Sequence, residues 1–170
     1  FKFISYFFHP INFPIIGTLI YFLFIPKFIF KPDEHNILLF ILISTYVLPI
    51  IFLIAFKKLK FINSYHMPTI EERKFPILFF MFLTFIIANW LFETTIVDHL
   101  ALFFLSYALG FAITYILLFF KIKLSLHTAS IGGLIAFLIY FSLVYKINLI
   151  LIFIALFIIV GLVATSRIYL

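Results

Sequence analysis

Long apolar runs constrain the fold of this chain more than any other feature of its sequence. Most runs are roughly 17 to 25 residues long, enough for a helix to cross a hydrocarbon core of ~30 Å. Backbone polar groups must be paired inside lipid, so such runs form helices. Of the 170 residues, 66% are hydrophobic and 11% are charged, which leaves no room for a separate soluble domain. The sequence predicts an all-α, polytopic integral membrane helix bundle, with residues 1–170 as a single membrane-embedded helical domain.

Six transmembrane helices are predicted from these runs, separated by short polar segments. Their approximate ranges are residues 11–28, 37–56, 76–92, 100–120, 128–145 and, after a tight turn at 146–148, up to 164. Residues 31–36 and 57–75 are predicted to be loops. Pro76 is expected in the first turn of the third span, where a missing backbone N–H is tolerated.

The charge pattern points to lipid as the partner. The formal net charge is +6, but the basic residues lie at the ends of apolar runs, which favours anionic headgroups or a phosphorylated membrane lipid over nucleic acid. The chain has no cysteine. This excludes disulfides, thiolate metal ligands and cysteine nucleophiles.

The count of crossings places the segments after the second, fourth and sixth spans on the same side as the N-terminus. That side carries nine basic residues and the other side three. Five against three remain when Arg73, Lys74, Lys123 and Arg167 are set aside as possible anion ligands. By the positive-inside rule, the basic side faces the cytoplasm. The predicted location is the cytoplasmic (inner) membrane of a bacterium.

Three polar segments converge on that basic side: residues 66–76, residues 121–127, and Ser166 with Arg167. Arginine offers a fork of donors that suits phosphate oxygens, serine offers a hydroxyl, and histidine exchanges a proton near neutral pH. These residue types predict a site for a phosphate ester. Two plainer interpretations stay open: helix-end cations sit among headgroups, and a loop histidine is solvated. His9 and Asn12 lie on the same side, where they border the site or form a helix-initiating turn.

The order and spacing of these residues resemble the type 2 phosphatidic acid phosphatase superfamily. Its pattern is Lys, six residues, Arg-Pro; then Pro-Ser-Gly-His; then Ser-Arg, five residues, His. The run LSLH at 124–127 keeps the serine and histidine of the second motif, with Leu124 and Leu126 in place of Pro and Gly. Ser166 and Arg167 match the opening of the third motif, about 40 residues later, the length of one helical hairpin. The first motif is represented by Arg73, with Lys74 and Pro76 after it.

The resemblance implies lipid phosphate or diphosphate hydrolysis through a histidine nucleophile, with no metal ion and no cofactor. His127 is the implied catalytic acid. The implied phosphate ligands are Arg73, Lys74, Lys123, Ser125, Ser166 and Arg167. The nucleophilic histidine is expected three residues beyond Leu170, and the chain is expected to begin inside a longer gene product.

Two other functions stay open. A catalytically inactive structural or accessory subunit of a larger membrane complex would also keep the fold with altered motifs. A transporter would need a polar pathway through the spans, and the scarcity of charged residues inside them argues against one.

Overall fold

Helices form every regular element in the described part of the chain. A computed structural model describes residues 8–26, 29–63, 65, 69–122 and 124–168, with side chains up to residue 166. The six helices are α1 (Phe13–Phe24, preceded by a 3₁₀ turn, Pro10–Asn12), α2 (Lys31–Lys58), α3 (Ile70–Thr94), α4 (Asp98–Phe119), α5 (Leu126–Tyr145) and α6 (Ile150–Ile168). The predicted all-α helix bundle is confirmed.

Four of these helices, α2 to α5, are long and apolar enough to cross a membrane, and the described parts of α1 and α6 are shorter apolar helices. At 1.5 Å per residue, the 22 residues of α4 span about 33 Å, the thickness of a hydrocarbon core. Large apolar side chains remain exposed on the helix surfaces, such as Leu143 at 73% and Leu151 at 78%. Such surfaces suit a lipid solvent, and the chain is a membrane protein.

The loop predicted at residues 31–36 is wrong, because α2 already begins at Lys31. The backbone N–H groups of Asp33 and Glu34 donate to the Phe30 carbonyl (3.0 and 3.1 Å). Lys31 Nζ lies 2.7 Å from Glu34 Oε2. Two carboxylates in the first turn also complement the positive end of the helix dipole. These local interactions extend the helix into a polar segment that hydropathy alone assigns to a loop.

Helix α3 also begins earlier than predicted, at Ile70. Thr69 is its N-cap, and the Thr69 Oγ1 accepts a hydrogen bond from the Glu72 N–H (3.3 Å). Pro76 is therefore the seventh residue of the helix, and its predicted place in the first turn is wrong. In α2, a π-helical segment (Ile43–Val47) ends two residues before Pro49, where the missing proline N–H interrupts the regular hydrogen-bond ladder.

The chain divides into two compact units. The first unit contains residues 1–38 and 125–170, and so holds α1, α5, α6 and the first turns of α2. Its buried core includes Tyr21 of α1 and Phe141 of α5, whose ring centroids lie 5.5 Å apart. Both rings are almost fully buried, so they join α1 to α5.

The second unit contains residues 39–124, with the rest of α2, α3 and α4. Helices α3 and α4 form a closely packed hairpin, turned by residues 95–97 with Thr95 in the left-handed region (φ 54°). Leu91, Phe103 and Phe104 are fully buried in it. The single membrane-embedded domain stays a prediction.

Candidate functional site

The hairpin of α5 and α6 carries the serine and histidine of the second predicted motif and the serine of the third. Ser125 is the N-cap of α5, in extended backbone (φ −78°, ψ 108°), and His127 is the second residue of the helix. After α5 the chain turns at Lys146, where the Ile147 N–H donates to the Ser142 carbonyl (3.1 Å). Helix α6 then returns along α5. A short connection of this kind brings the start of α5 and the end of α6 to the same end of the hairpin.

The Ser125 hydroxyl is buried and has no hydrogen-bond partner among the described residues. The backbone around it is well paired. The Ser125 carbonyl accepts from the Ala129 N–H (3.0 Å) and from the Thr128 hydroxyl (3.0 Å). A serine at this position usually accepts from a first-turn N–H, but the Ser125 side chain makes no such bond. The hydroxyl can therefore donate to an acceptor such as a phosphate oxygen.

His127 lies against a second histidine of the same unit. The ring centroids of His9 and His127 are 5.5 Å apart, and the rings meet edge to face at 80°. His9 also caps the 3₁₀ turn before α1, because its Nδ1 accepts from the Ile11 N–H (3.3 Å). His9 thus forms the turn that was one of its two predicted roles and also lies beside His127, and its role at the site stays a prediction.

Ser166 is fully buried near the end of α6. Its hydroxyl donates to the Val163 carbonyl of the same helix (2.8 Å), so only its oxygen lone pairs remain to meet a ligand. The side chain of Arg167 and the whole of Lys123 lie outside the described residues. Their predicted roles as phosphate ligands stay predictions.

Arg73 and Lys74 belong to the second unit, in the first turns of α3. Lys74 Nζ lies 5.3 Å from the ring centroid of Phe119, at the end of α4. This geometry is that of a cation–π contact. Arg73 is half-buried. The predicted grouping of these two residues with Ser125 and His127 stays a prediction.

Helix α3 also buries a carboxylate next to Arg73, which the sequence did not predict. Glu72 Oε1 accepts from both the backbone N–H (3.0 Å) and the side-chain amide (2.8 Å) of Asn63. Its Oε2 is buried and has no partner among the described residues. Thr69 followed three residues later by Glu72 is a capping-box pattern, which signals the helix start but not the hydrogen bonds from Asn63. Here the glutamate side chain ties the loop after α2 to the start of α3.

Among the described residues, no three His, Cys, Asp or Glu side chains are grouped as metal ligands. Comparisons with protein families, with curated proteins and with solved structures find no match for this chain.

Proposed function

We propose that the protein is a lipid phosphate or diphosphate phosphatase-like membrane protein that hydrolyses phosphoesters without a metal ion. The observation that carries the proposal is the buried hydroxyl of Ser125, which has no hydrogen-bond partner in the described part of the chain and lies two residues before His127 at the start of the α5–α6 hairpin. The hairpin also accounts for the spacing between this pair and Ser166. An unsatisfied donor is unfavourable in a folded protein, and a ligand with strong acceptor oxygens would satisfy it.

The reaction that the resemblance implies has two steps. A nucleophilic histidine would attack phosphorus, an N–P bond would form, and the P–O bond to the lipid would break. His127 in its protonated form gives its proton to the departing alkoxide. Water then attacks phosphorus, the N–P bond breaks, the proton of the water passes to His127, and phosphate leaves. Neither step changes an oxidation state.

The phosphate group would be held by fixed donors. The Ser125 hydroxyl would donate to one non-bridging oxygen, and the predicted cationic ligands would neutralise the charge that spreads over the others. The predicted cationic ligands are Arg73, Lys74, Lys123 and Arg167, and Ser166 is a further predicted ligand. The lipid tail would lie along the exposed apolar helix faces. His9 would place a second imidazole beside the catalytic acid.

The location we propose is the cytoplasmic membrane of a bacterium, with the basic side toward the cytoplasm. The excess of lysine and arginine on that side supports this orientation. Reporter fusions after Lys60 and after Lys146 test it. A reporter active only in the cytoplasm should work after Lys60 and fail after Lys146, and the reverse pattern would refute the orientation.

Phosphate release from phosphatidic acid and from an isoprenyl diphosphate tests the activity, with the full-length protein in detergent micelles. His127→Ala should lower the rate by about 100-fold or more, because general acid catalysis typically contributes that much. His35→Ala and Ser106→Ala are the matched controls. His35 is exposed, and the Ser106 hydroxyl already donates to the Phe103 carbonyl (2.7 Å), so both variants should keep the wild-type rate. Equal rates for His127→Ala and the wild type would exclude this mechanism.

A second candidate function is that of an inactive structural or accessory subunit of a membrane complex. Two observations favour it. The Ser166 hydroxyl is bonded within its own helix, and Leu124 and Leu126 replace the small and rigid residues of the resembled motif. This function predicts no phosphate release from any lipid phosphate. It also predicts that the full-length protein purifies from its native membrane in mild detergent with partner subunits in fixed ratio.

A further inference from the structure

Three helix ends meet at one end of the second unit: the end of α2, the start of α3 and the end of α4. The ring centroids of Phe61, just after α2, and Phe75 of α3 lie 4.9 Å apart. Lys74 of α3 lies over the ring of Phe119, the last residue of α4. These contacts bring together side chains that are up to 60 residues apart in the chain.

The charge of this end is strongly positive. We use the name basic end for the basic residues of these three helix ends, which are Lys57, Lys58, Lys60, Arg73, Lys74 and Lys121. Glu71 and Glu72 are the only acidic residues in the same segments, and Glu72 already accepts two hydrogen bonds from Asn63. Lys58, Lys60 and Lys121 are exposed and form no ion pair with a described residue. These three lysines therefore lie at this end without a paired carboxylate among the described residues.

The backbone makes two of these lysines unexpected. Lys60 and Lys121 adopt left-handed conformations (φ 62° and 59°) just past the ends of α2 and α4. In both places the next N–H bonds back to a carbonyl five residues earlier, which is the Schellman arrangement that usually has glycine at this position. A lysine there is conformationally less favourable than glycine. Its cation lies at the end of the helix, where the helix dipole favours positive charge.

Exposed aromatic rings surround the lysines. Tyr65 is 49% exposed, and Lys57 Nζ lies 4.3 Å from its ring centroid. Phe119 and Phe120 at the end of α4 are 62% and 71% exposed. Aromatic rings and lysines at the ends of apolar helices are the side chains that occupy the membrane–water interface. Phosphate-bearing lipid headgroups lie at the same depth.

We infer that the basic end binds the headgroups of anionic phospholipids in the surrounding leaflet. The lysines supply the charge, and the aromatic rings hold the helix ends at the depth of the lipid phosphates. This binding does not depend on phosphoester hydrolysis, so it holds for an enzyme and for an inactive subunit alike.

The test is a titration of the full-length protein in neutral detergent with phosphatidylglycerol, with phosphatidylcholine as the reference lipid. The rise in melting temperature reports the apparent Kd. Wild type should prefer phosphatidylglycerol, and Lys121→Gln should weaken that preference about fivefold, since each lysine near an anionic surface contributes a factor of that size. Combining Lys57→Gln, Lys58→Gln, Lys60→Gln and Lys121→Gln should weaken it at least tenfold.

Lys146→Gln is the matched control, because Lys146 is an exposed lysine with the same left-handed backbone (φ 53°) outside the basic end. It should leave the apparent Kd unchanged, and Lys121→Arg, which keeps the charge, should do the same. An equal effect of Lys121→Gln and Lys146→Gln would overturn the proposal, as would a wild type without preference for the anionic lipid. A parallel titration with inorganic phosphate distinguishes a lipid headgroup from a soluble anion as the ligand. Stabilisation by phosphate but not by phosphatidylglycerol would show that the basic end binds a soluble anion instead.

Discussion

Ser125→Ala should make the protein more stable while it weakens phosphate release. An unpaired buried hydroxyl costs about 1 to 3 kcal/mol in mutational data, and the Ser125 Oγ is buried with no partner among the residues that the structure describes. Serine-to-alanine changes at an N-cap usually destabilise by about 1 kcal/mol, because a bond to the first turn is lost. The Ser125 side chain makes no such bond, so that loss does not apply. We expect a net gain of about 1 kcal/mol.

Thermal unfolding of the full-length protein in detergent micelles measures this gain. For a chain of this size, 1 kcal/mol corresponds to a shift of about 2 to 4 °C in Tm. Phosphate release on the same samples should fall, because a donor to the phosphate oxygens is lost. A higher Tm together with a lower rate is the combination expected when a site residue is kept for function at the expense of stability.

Thr69→Ala is the matched control, because Thr69 is an N-cap whose side chain does accept a hydrogen bond, from the Glu72 N–H. It should lower the Tm, because the loss of this hydrogen bond reduces the free energy of unfolding by about 1 kcal/mol. The two N-cap variants should therefore shift the Tm in opposite directions. If Ser125→Ala destabilises the protein as much as Thr69→Ala does, the Ser125 hydroxyl has a partner within the protein. It is then not free to donate to a phosphate oxygen.

Two further predictions concern packing and the loop after α2. Phe141→Ala should destabilise the detergent-solubilised protein by about 2 kcal/mol or more in thermal unfolding, since Phe141 is fully buried against Tyr21. The control, Leu143→Ala, should change the Tm little because Leu143 is 73% exposed. Equal shifts in Tm for the two variants would show that the exposed face of α5 is not open to lipid. Glu72→Ala should speed backbone amide hydrogen exchange at Asn63, because both hydrogen bonds that Asn63 donates to the carboxylate are lost. An unchanged exchange rate would mean that other contacts hold the loop after α2.

Hydropathy predicted where the six helices lie because it reports a local property, the need of an apolar segment to pair its own backbone polar groups. An apolar run buries its own backbone hydrogen bonds as a helix wherever it lies in the chain. The ends of α4 and α5 agree with prediction within two residues, since Asp98 and Lys146 border apolar runs sharply. The starts of α2 and α3 were placed too late. Both helices extend into polar segments because hydrogen bonds and an ion pair stabilise their first turns. A hydropathy average does not include these interactions.

The candidate site was predictable only in part for the same reason. The sequence identified Ser125 and His127 by residue type and spacing, and their place at the start of a helix follows from where the apolar run begins. It could not determine that the ring of His9 would lie against His127, because this contact joins residues 118 positions apart. The hydrogen bonds of Glu72 to Asn63 were likewise out of reach, since a capping-box pattern predicts a different partner.

The sequence by itself determined that this is an all-α membrane protein and which polar segments lie at the helix ends, and it predicts that some of these segments bind phosphate. Only the tertiary structure decided which hydroxyls are already paired. The Ser166 hydroxyl is bonded to its own helix and the Ser125 hydroxyl is not. It also decided that the ends of α2, α3 and α4 lie together, with Lys74 over the ring of Phe119 and Phe61 beside Phe75. The physical reason is that hydropathy is a property of each residue, whereas hydrogen-bond partners and charge clusters depend on which helices pack together.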